Sequence, residues 1–276
     1  MFEKTIGFRI FFWLTLCIVG TFVLFPIYWM INTSFKSPSE LLDPNLIPFK
    51  PTIEHYLNAL KDAQLRIYFK NSMITSIASS VLATIVSAYA AYSFSKFRYK
   101  GRKSFMLLIL LSRTVPYGVL LISIYALMKS YGLLDSYFSL IFAYITFTLP
   151  VGTWTLKTFF DDIPNEIIES AKVDGASQWR TIHKIVLPLA VPGMIAVAVL
   201  GFVNSWNDLL YSLTLVTDPD KRTIAPGLVF KYLGESGSDY GGMMATSTLV
   251  SMPAAIVFLF VQRYFIKGLT AGAVKG

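Results

Sequence analysis

Three groups of residues in this sequence have the types and spacing to do chemistry. The first is Asn204, Asn207, Asp208 and Tyr211, at i, i+3, i+4 and i+7 of one helical face, with Trp206 beside them. They interrupt a strongly apolar run. Polar groups at bilayer depth are costly and face a bundle interior or an aqueous cavity. Amides and a carboxylate can hydrogen-bond hydroxyl groups, and an indole can cover an apolar ring face. These five residues are therefore candidates for a solute path, with an interhelical contact as the equal alternative. The second group is Arg113, just ahead of Pro116. Its guanidinium is expected to bond carbonyls that the proline leaves unpaired, or to snorkel to an interface. The third is a polar island, Glu169-Ser170-Ala171-Lys172-Val173-Asp174-Gly175, that leads to Ile185-Val186-Leu187-Pro188.

Sites for bond-breaking chemistry are missing from the pattern. The sequence has no G-x-x-x-x-G-K-[ST] phosphate loop, no H-E-x-x-H and no G-x-S-x-G elbow. The chain is not expected to be an enzyme, to bind ATP by the usual loop or to hold a cofactor or metal. The one cysteine, Cys17, excludes an intrachain disulfide.

The elements that must position these groups follow from composition. The 276 residues are 54% hydrophobic and 14% charged, with a mean hydropathy of +0.57. That is a membrane composition. Six apolar segments, 10–31, 72–94, 105–128, 137–156, 192–216 and 243–266, reach the length of about 20 residues that a helix needs to span. The fold class is all-α, polytopic, in one domain over 1–276. The first segment is read as a retained span, because it is long for a signal peptide and no small-x-small site follows. Small residues in 72–94 suit close helix packing inside the bundle. Pro26, Pro116, Pro150, Pro192 and Pro253 each allow a kink.

Six spans place both termini on one side. Lys96, Arg98, Lys100, Arg102 and Lys103 crowd the short loop after the second span, which predicts that this loop, both termini and the polar island face the cytoplasm. The net charge of +8 is then explained by topology and anionic lipid, without a nucleic-acid partner.

The island reads as a helix-turn-helix over 161–188. Asp161, Asp162 and Glu166 place negative charge at a helix start, with Pro164 in its first turn. Ile167, Ile168 and Ala171 share a face. Gly175 provides a left-handed stop, and Ser177 caps a second helix that breaks at Pro188. On the opposite side, 51–70 and 223–233 predict amphipathic helices, through Ile53, Leu57, Leu60, Leu65 and Tyr68, and through Ile224, Leu228, Tyr232 and Leu233.

The island's spacing is also that of a known family. Glu169, the small pair Ser170-Ala171, Gly175 after three residues and Ile185-Val186-Leu187-Pro188 after nine more resemble the EAA signature of ABC importer permeases. Ser170 replaces the usual first alanine, small for small. Phe97-Arg98 to Gly101-Arg102, Trp206-Asn207 and the tail Gly268-Leu269-Thr270-Ala271-Gly272-Ala273-Val274-Lys275-Gly276 resemble the maltose-type sugar permeases.

The resemblance implies a type I importer permease in a bacterial inner membrane, moving a sugar or sugar-like solute by alternating access. It implies a heterodimer with a second, related permease. It also implies a cytoplasmic ATPase dimer that binds ATP and Mg, and an external solute-binding protein that approaches loop 217–242. Glu169, Ser170, Ala171, Asp174, Gly175, Leu187 and Pro188 would then form the ATPase-coupling segment. A secondary transporter is the alternative. It would need an ion relay within the spans, for which Arg113 and Asp208 are the available charges.

Overall fold

A computed structural model of the chain describes residues 5–233 and 239–273. Lys4, residues 234–238 and the tail residues Val274, Lys275 and Gly276 lie outside the described residues. The described chain is helical and, among these residues, contains no strand. Its elements in order are α1 (Ile6–Ser34), α2 (Glu54–Lys61), α3 (Ala63–Lys96), α4 (Arg102–Leu111), α5 (Tyr117–Ser130), α6 (Tyr137–Asp161), α7 (Asn165–Val173), α8 (Gln178–Thr181), α9 (Leu187–Trp206), α10 (Leu210–Leu215), α11 (Ile224–Tyr232) and α12 (Tyr240–Ala273).

Five helices are long and apolar enough to cross a membrane: Ile6–Ser34, Ala63–Lys96, Tyr137–Asp161, Gln178–Trp206 and Tyr240–Gln262. The sixth candidate is a bent pair of helices. Arg102–Thr114 and Tyr117–Ser130 meet at 101°. Pro116 is the cause. It holds its own φ at −56° and forces Val115 into extended backbone at φ −69°, ψ 126°. The segment expected over 105–128, with a kink allowed at Pro116, is thus two arms around that bend.

The chain divides into two compact units, 1–65 with 228–252 and 66–227 with 253–276. In the first, α1 is apolar over most of its length after Arg9 and largely exposed through Tyr28, while the polar Asn32, Thr33 and Ser34 at its C-terminus are buried. The loop after α1 is ordered by polar contacts. Buried Lys36 donates to the Asp43 carbonyl at 2.6 Å and lies 4.6 Å above the Trp29 ring. Glu40 accepts the backbone N–H groups of Phe49 and Lys50. The outer amphipathic helix expected over 51–70 is divided, because Asp62 ends α2 and takes the Leu65 N–H at 2.8 Å to start α3. In α2 the residues turned inward are His55 and Ala59, so the apolar stripe of Ile53, Leu57 and Leu60 faces outward.

In the second unit, α3 supplies the small face anticipated from its sequence. Ser76, Ser79, Ala83, Ser87, Ala88 and Ala91 are all buried. Close approach is the reason for small residues here. A side-chain carbon on Gly201 of α9 would lie 3.3 Å from the Ser80 Cα and 3.0 Å from the Thr148 methyl. One apolar core joins α3, α6, α7 and α9 through Tyr92, Leu156, Phe160, Ile168 and Val197. A second joins α5, α6 and α10 through Ile124, Met128, Leu140, Tyr144 and Tyr211.

Candidate functional site

The four polar residues predicted to share one helical face do not do so. Helix α9 stops at Trp206, and α10 starts afresh at Leu210. Asp208 is the physical reason. Its carboxylate accepts the N–H groups of Tyr211 at 3.4 Å and Ser212 at 3.0 Å, the first-turn donors of α10. A short acidic side chain that bonds nearby N–H groups competes with continuation of the helix and caps a new one.

Two further donors reach the same carboxylate from distant elements. The Tyr117 hydroxyl, at the start of α5, donates at 2.6 Å, and the Tyr144 hydroxyl of α6 at 3.0 Å. Asp208 is only 6% exposed. Four donors therefore replace its hydration, a balance that a buried carboxylate requires. The aromatic packing reinforces the junction. Tyr211 donates to the Tyr117 carbonyl at 2.7 Å, and its ring meets those of Tyr117 and Phe147 edge-on at 4.6 and 4.9 Å.

Beside this junction opens a cavity of about 660 Å³ whose walls include Arg113, Tyr117, Phe147, Asn204, Asn207 and Asp208. Three of the five residues predicted for a solute path thus line one space. Trp206 and Tyr211 do not line it. The Trp206 ring is buried against Phe202 and Phe69, at centroid distances of 5.5 and 5.4 Å. Tyr211 is fully buried behind Tyr117. The cavity's aromatic surface comes instead from Tyr117, Tyr144 and Phe147, which sequence reasoning missed. Their only signal was being aromatic within apolar spans, where aromatic residues are common.

Of the two expectations for Arg113, the carbonyl bonding is absent among the described residues. At the bend, the hydroxyls of Ser112 and Thr114 fold back on the carbonyls of Ile109 and Leu111 at 2.6 and 2.7 Å. The arginine does not serve those carbonyls. Its side chain is exposed on the cavity wall.

The polar island forms a second compact feature. Helix α7 turns Ile168 and Ala171 inward and leaves Glu169, Ser170, Asp174 and Gly175 exposed. Gly175 takes the left-handed conformation at φ +75°. Its N–H bonds the Lys172 carbonyl at 3.0 Å, while the Ala176 N–H bonds the Ala171 carbonyl at 2.9 Å. This paired arrangement is a Schellman stop, which favours glycine at that position. Ser177 then accepts the Arg180 N–H and starts α8.

Two details differ from the sequence reading. Asp161 and Asp162 belong to the end of α6, where Asp161 pairs with Lys157 and Ser95 and the Asp162 N–H still bonds Thr158. Only Glu166 supplies charge to the first turn of α7, and Pro164 precedes that turn. Nor does Pro188 break the second helix. The helix continues from α8 into α9 through a π turn at Ile182–Val186, in which the Leu187 N–H bonds Ile182 five residues back. A π turn absorbs the register change that a proline lacking an N–H imposes. Leu187 packs on the core and Pro188 is exposed. The island is fastened to the end of α3, since Lys96 donates to the Ile163 carbonyl at 2.6 Å and to Asn165 at 3.2 Å.

Residues 80–271 match the family of binding-protein-dependent transport system inner membrane components. The chain belongs to that family. Its relatives extend over nearly its whole length. It is 34% identical over 270 residues to the galactooligosaccharides transport system permease protein GanQ of Bacillus subtilis, covering 97% of this chain and 95% of the relative. It is 34% identical over 256 residues to the trehalose/maltose transport system permease protein MalG of Thermococcus litoralis, covering 92% of each. In fold it resembles a chain of a bacterial ABC transporter involved in the import of the acidic polysaccharide alginate, with a TM-score of 0.82. That match covers 96% of this chain and 100% of the other at 22% identity. The protein is accordingly a multi-pass, all-α permease component of the ABC importer class. Its polar island lies within the matched region, and so does the whole cavity wall.

Proposed function

We propose that this permease is one membrane-spanning half of an ATP-driven importer for a sugar or sugar-like solute. A second, related but non-identical permease completes the path. A cytoplasmic ATPase dimer, which binds ATP and Mg, drives it, and an external binding protein delivers the solute. Both termini and the Glu169–Gly175 turn face the cytoplasm, in keeping with the basic residues from Lys96 to Lys103.

One observation carries the mechanism. An exposed helix and turn, bearing Glu169, Ser170, Asp174 and Gly175, is clamped at a defined angle by buried Ile168 and Ala171 and by the Lys96 contacts. A rigid lever on the bundle suits docking in a partner's groove. Closure of the ATPase dimer would move α7 and α9 as one body with the π turn between them, because they share a core with α3 and α6. Asn204 and Asn207 sit toward the opposite end of α9 from this lever and face the cavity, where their amides can bond hydroxyls. Motion at one end of α9 thus reaches the solute at the other. The sugar assignment draws on the named substrates of the relatives and on the amide and aromatic character of this wall.

The test is uptake by proteoliposomes that contain both permeases and the ATPase, with binding protein outside. Radiolabelled oligosaccharide is expected to accumulate only with ATP inside. Uptake driven by an ion gradient without ATP would support a secondary transporter instead.

A further inference from the structure

Only two charged side chains, Arg113 and Asp208, stand on the cavity wall, and their situations are opposite. Asp208 is buried, and its two oxygens already accept from Tyr117, Tyr144, Tyr211 and Ser212. Four donors fill the sites of a carboxylate. Arg113 is exposed and, among the described residues, makes no hydrogen bond or ion pair. The bend is formed without a hydrogen bond from it: the hydroxyls of Ser112 and Thr114 bond the Ile109 and Leu111 carbonyls, and Pro116 sets the turn. A guanidinium has five donors in a planar fork that matches a carboxylate. Held on an apolar wall beside Phe147 and Leu120, it concentrates the field in the cavity and draws anions.

We propose that Arg113 is an anion-binding group of the solute path, and that the permeating sugar carries an acidic substituent, a uronate carboxylate. Arg113 pairs with the carboxylate. The amides of Asn204 and Asn207 on the same wall receive the neighbouring hydroxyls. Asp208 has its oxygens occupied by these donors, and the four donor dipoles, not its burial, offset its charge toward an acidic sugar. This rests on the sugar-import reading above.

The experiment uses the complete transporter in proteoliposomes, with its binding protein. Disaccharides of galacturonate, glucuronate and mannuronate are each paired with the neutral disaccharide of the same linkage. All are supplied above saturation of the binding protein, so that selection there does not enter. The wild type is expected to take up at least one uronate faster than its neutral partner. Arg113→Gln should lower that acidic-to-neutral ratio about tenfold or more, and Arg113→Lys should restore part of it. An unchanged ratio in Arg113→Gln overturns the proposal. An equal loss of both sugars, or loss of the second permease on purification, also overturns it and makes Arg113 a structural residue. ATP-driven uptake of neutral sugars alone by the wild type overturns it while leaving the sugar-import reading intact. Uptake of no sugar with ATP defeats both.

Discussion

At the scale of single residues, Asp208 organises the cavity rather than offering itself to solute. The sequence marked it, because a carboxylate inside an apolar run must find partners. It could not disclose which ones, since Tyr117 and Tyr144 lie 91 and 64 positions away, and many tyrosines in the spans were equally eligible. The expectation of one continuous polar face failed at this same residue, because its capping of α10 ends α9 and changes where Tyr211 points. Tyr117→Phe removes one donor from a buried carboxylate. A hydrogen bond to a charged group contributes about 1.5–3 kcal/mol, so this variant should lower the thermal midpoint of the purified permease complex. Tyr137→Phe, which removes a hydroxyl that donates to Asn71 at 2.6 Å, is a neutral-acceptor comparison and should cost less. Equal midpoints for wild type and Tyr117→Phe would refute the bracing role of Asp208.

At the scale of elements, local signals were legible wherever one side chain and its immediate neighbours decide the outcome. Gly175 and Ser177 announced the stop of α7 and the start of α8. The prolines were harder, because context sets their effect. Pro116 bends a span by 101°, whereas Pro188 sits in a continuous helix behind a π turn. A latch between loops was not legible at all. Asp135, ahead of α6, has a left-handed φ of 54° and accepts N–H groups of Thr217 at 2.6 Å and Asp218 at 2.8 Å, after α10. The Asp218 N–H chiefly holds the Asp135 carboxyl below its usual pKa; burial opposes this, and Thr217 and Lys221 add to the lowering. A depressed folded pKa contributes stability that is present above the unfolded value of about 3.9 and is lost as pH falls through the folded value. Unfolding midpoints measured from pH 5 downward should therefore fall below about pH 4, and Asp135→Asn should flatten that part of the profile. A wild-type slope retained in Asp135→Asn would contradict the latch.

At the scale of the whole molecule, hydropathy and the spacing from Glu169 to Pro188 were enough to indicate an all-α membrane permease, and the family match agrees. The cavity was beyond reach from sequence, because it is built from three separate stretches, around Arg113, Phe147 and Asn204. The central claim is mechanical: the exposed turn at Glu169–Gly175 receives motion from an ATPase that this chain does not contain. Gly175 holds a left-handed backbone, in which other residues cost about 1–2 kcal/mol, and Glu169 presents an exposed carboxylate for a partner. The most direct measurement is ATP hydrolysis by the reconstituted transporter, with and without loaded binding protein, for wild type, Glu169→Lys and Gly175→Asp. Both variants should remain in the membrane with the second permease while losing ATPase association or most of the stimulation. Normal ATPase association with full stimulation in both variants would contradict the account.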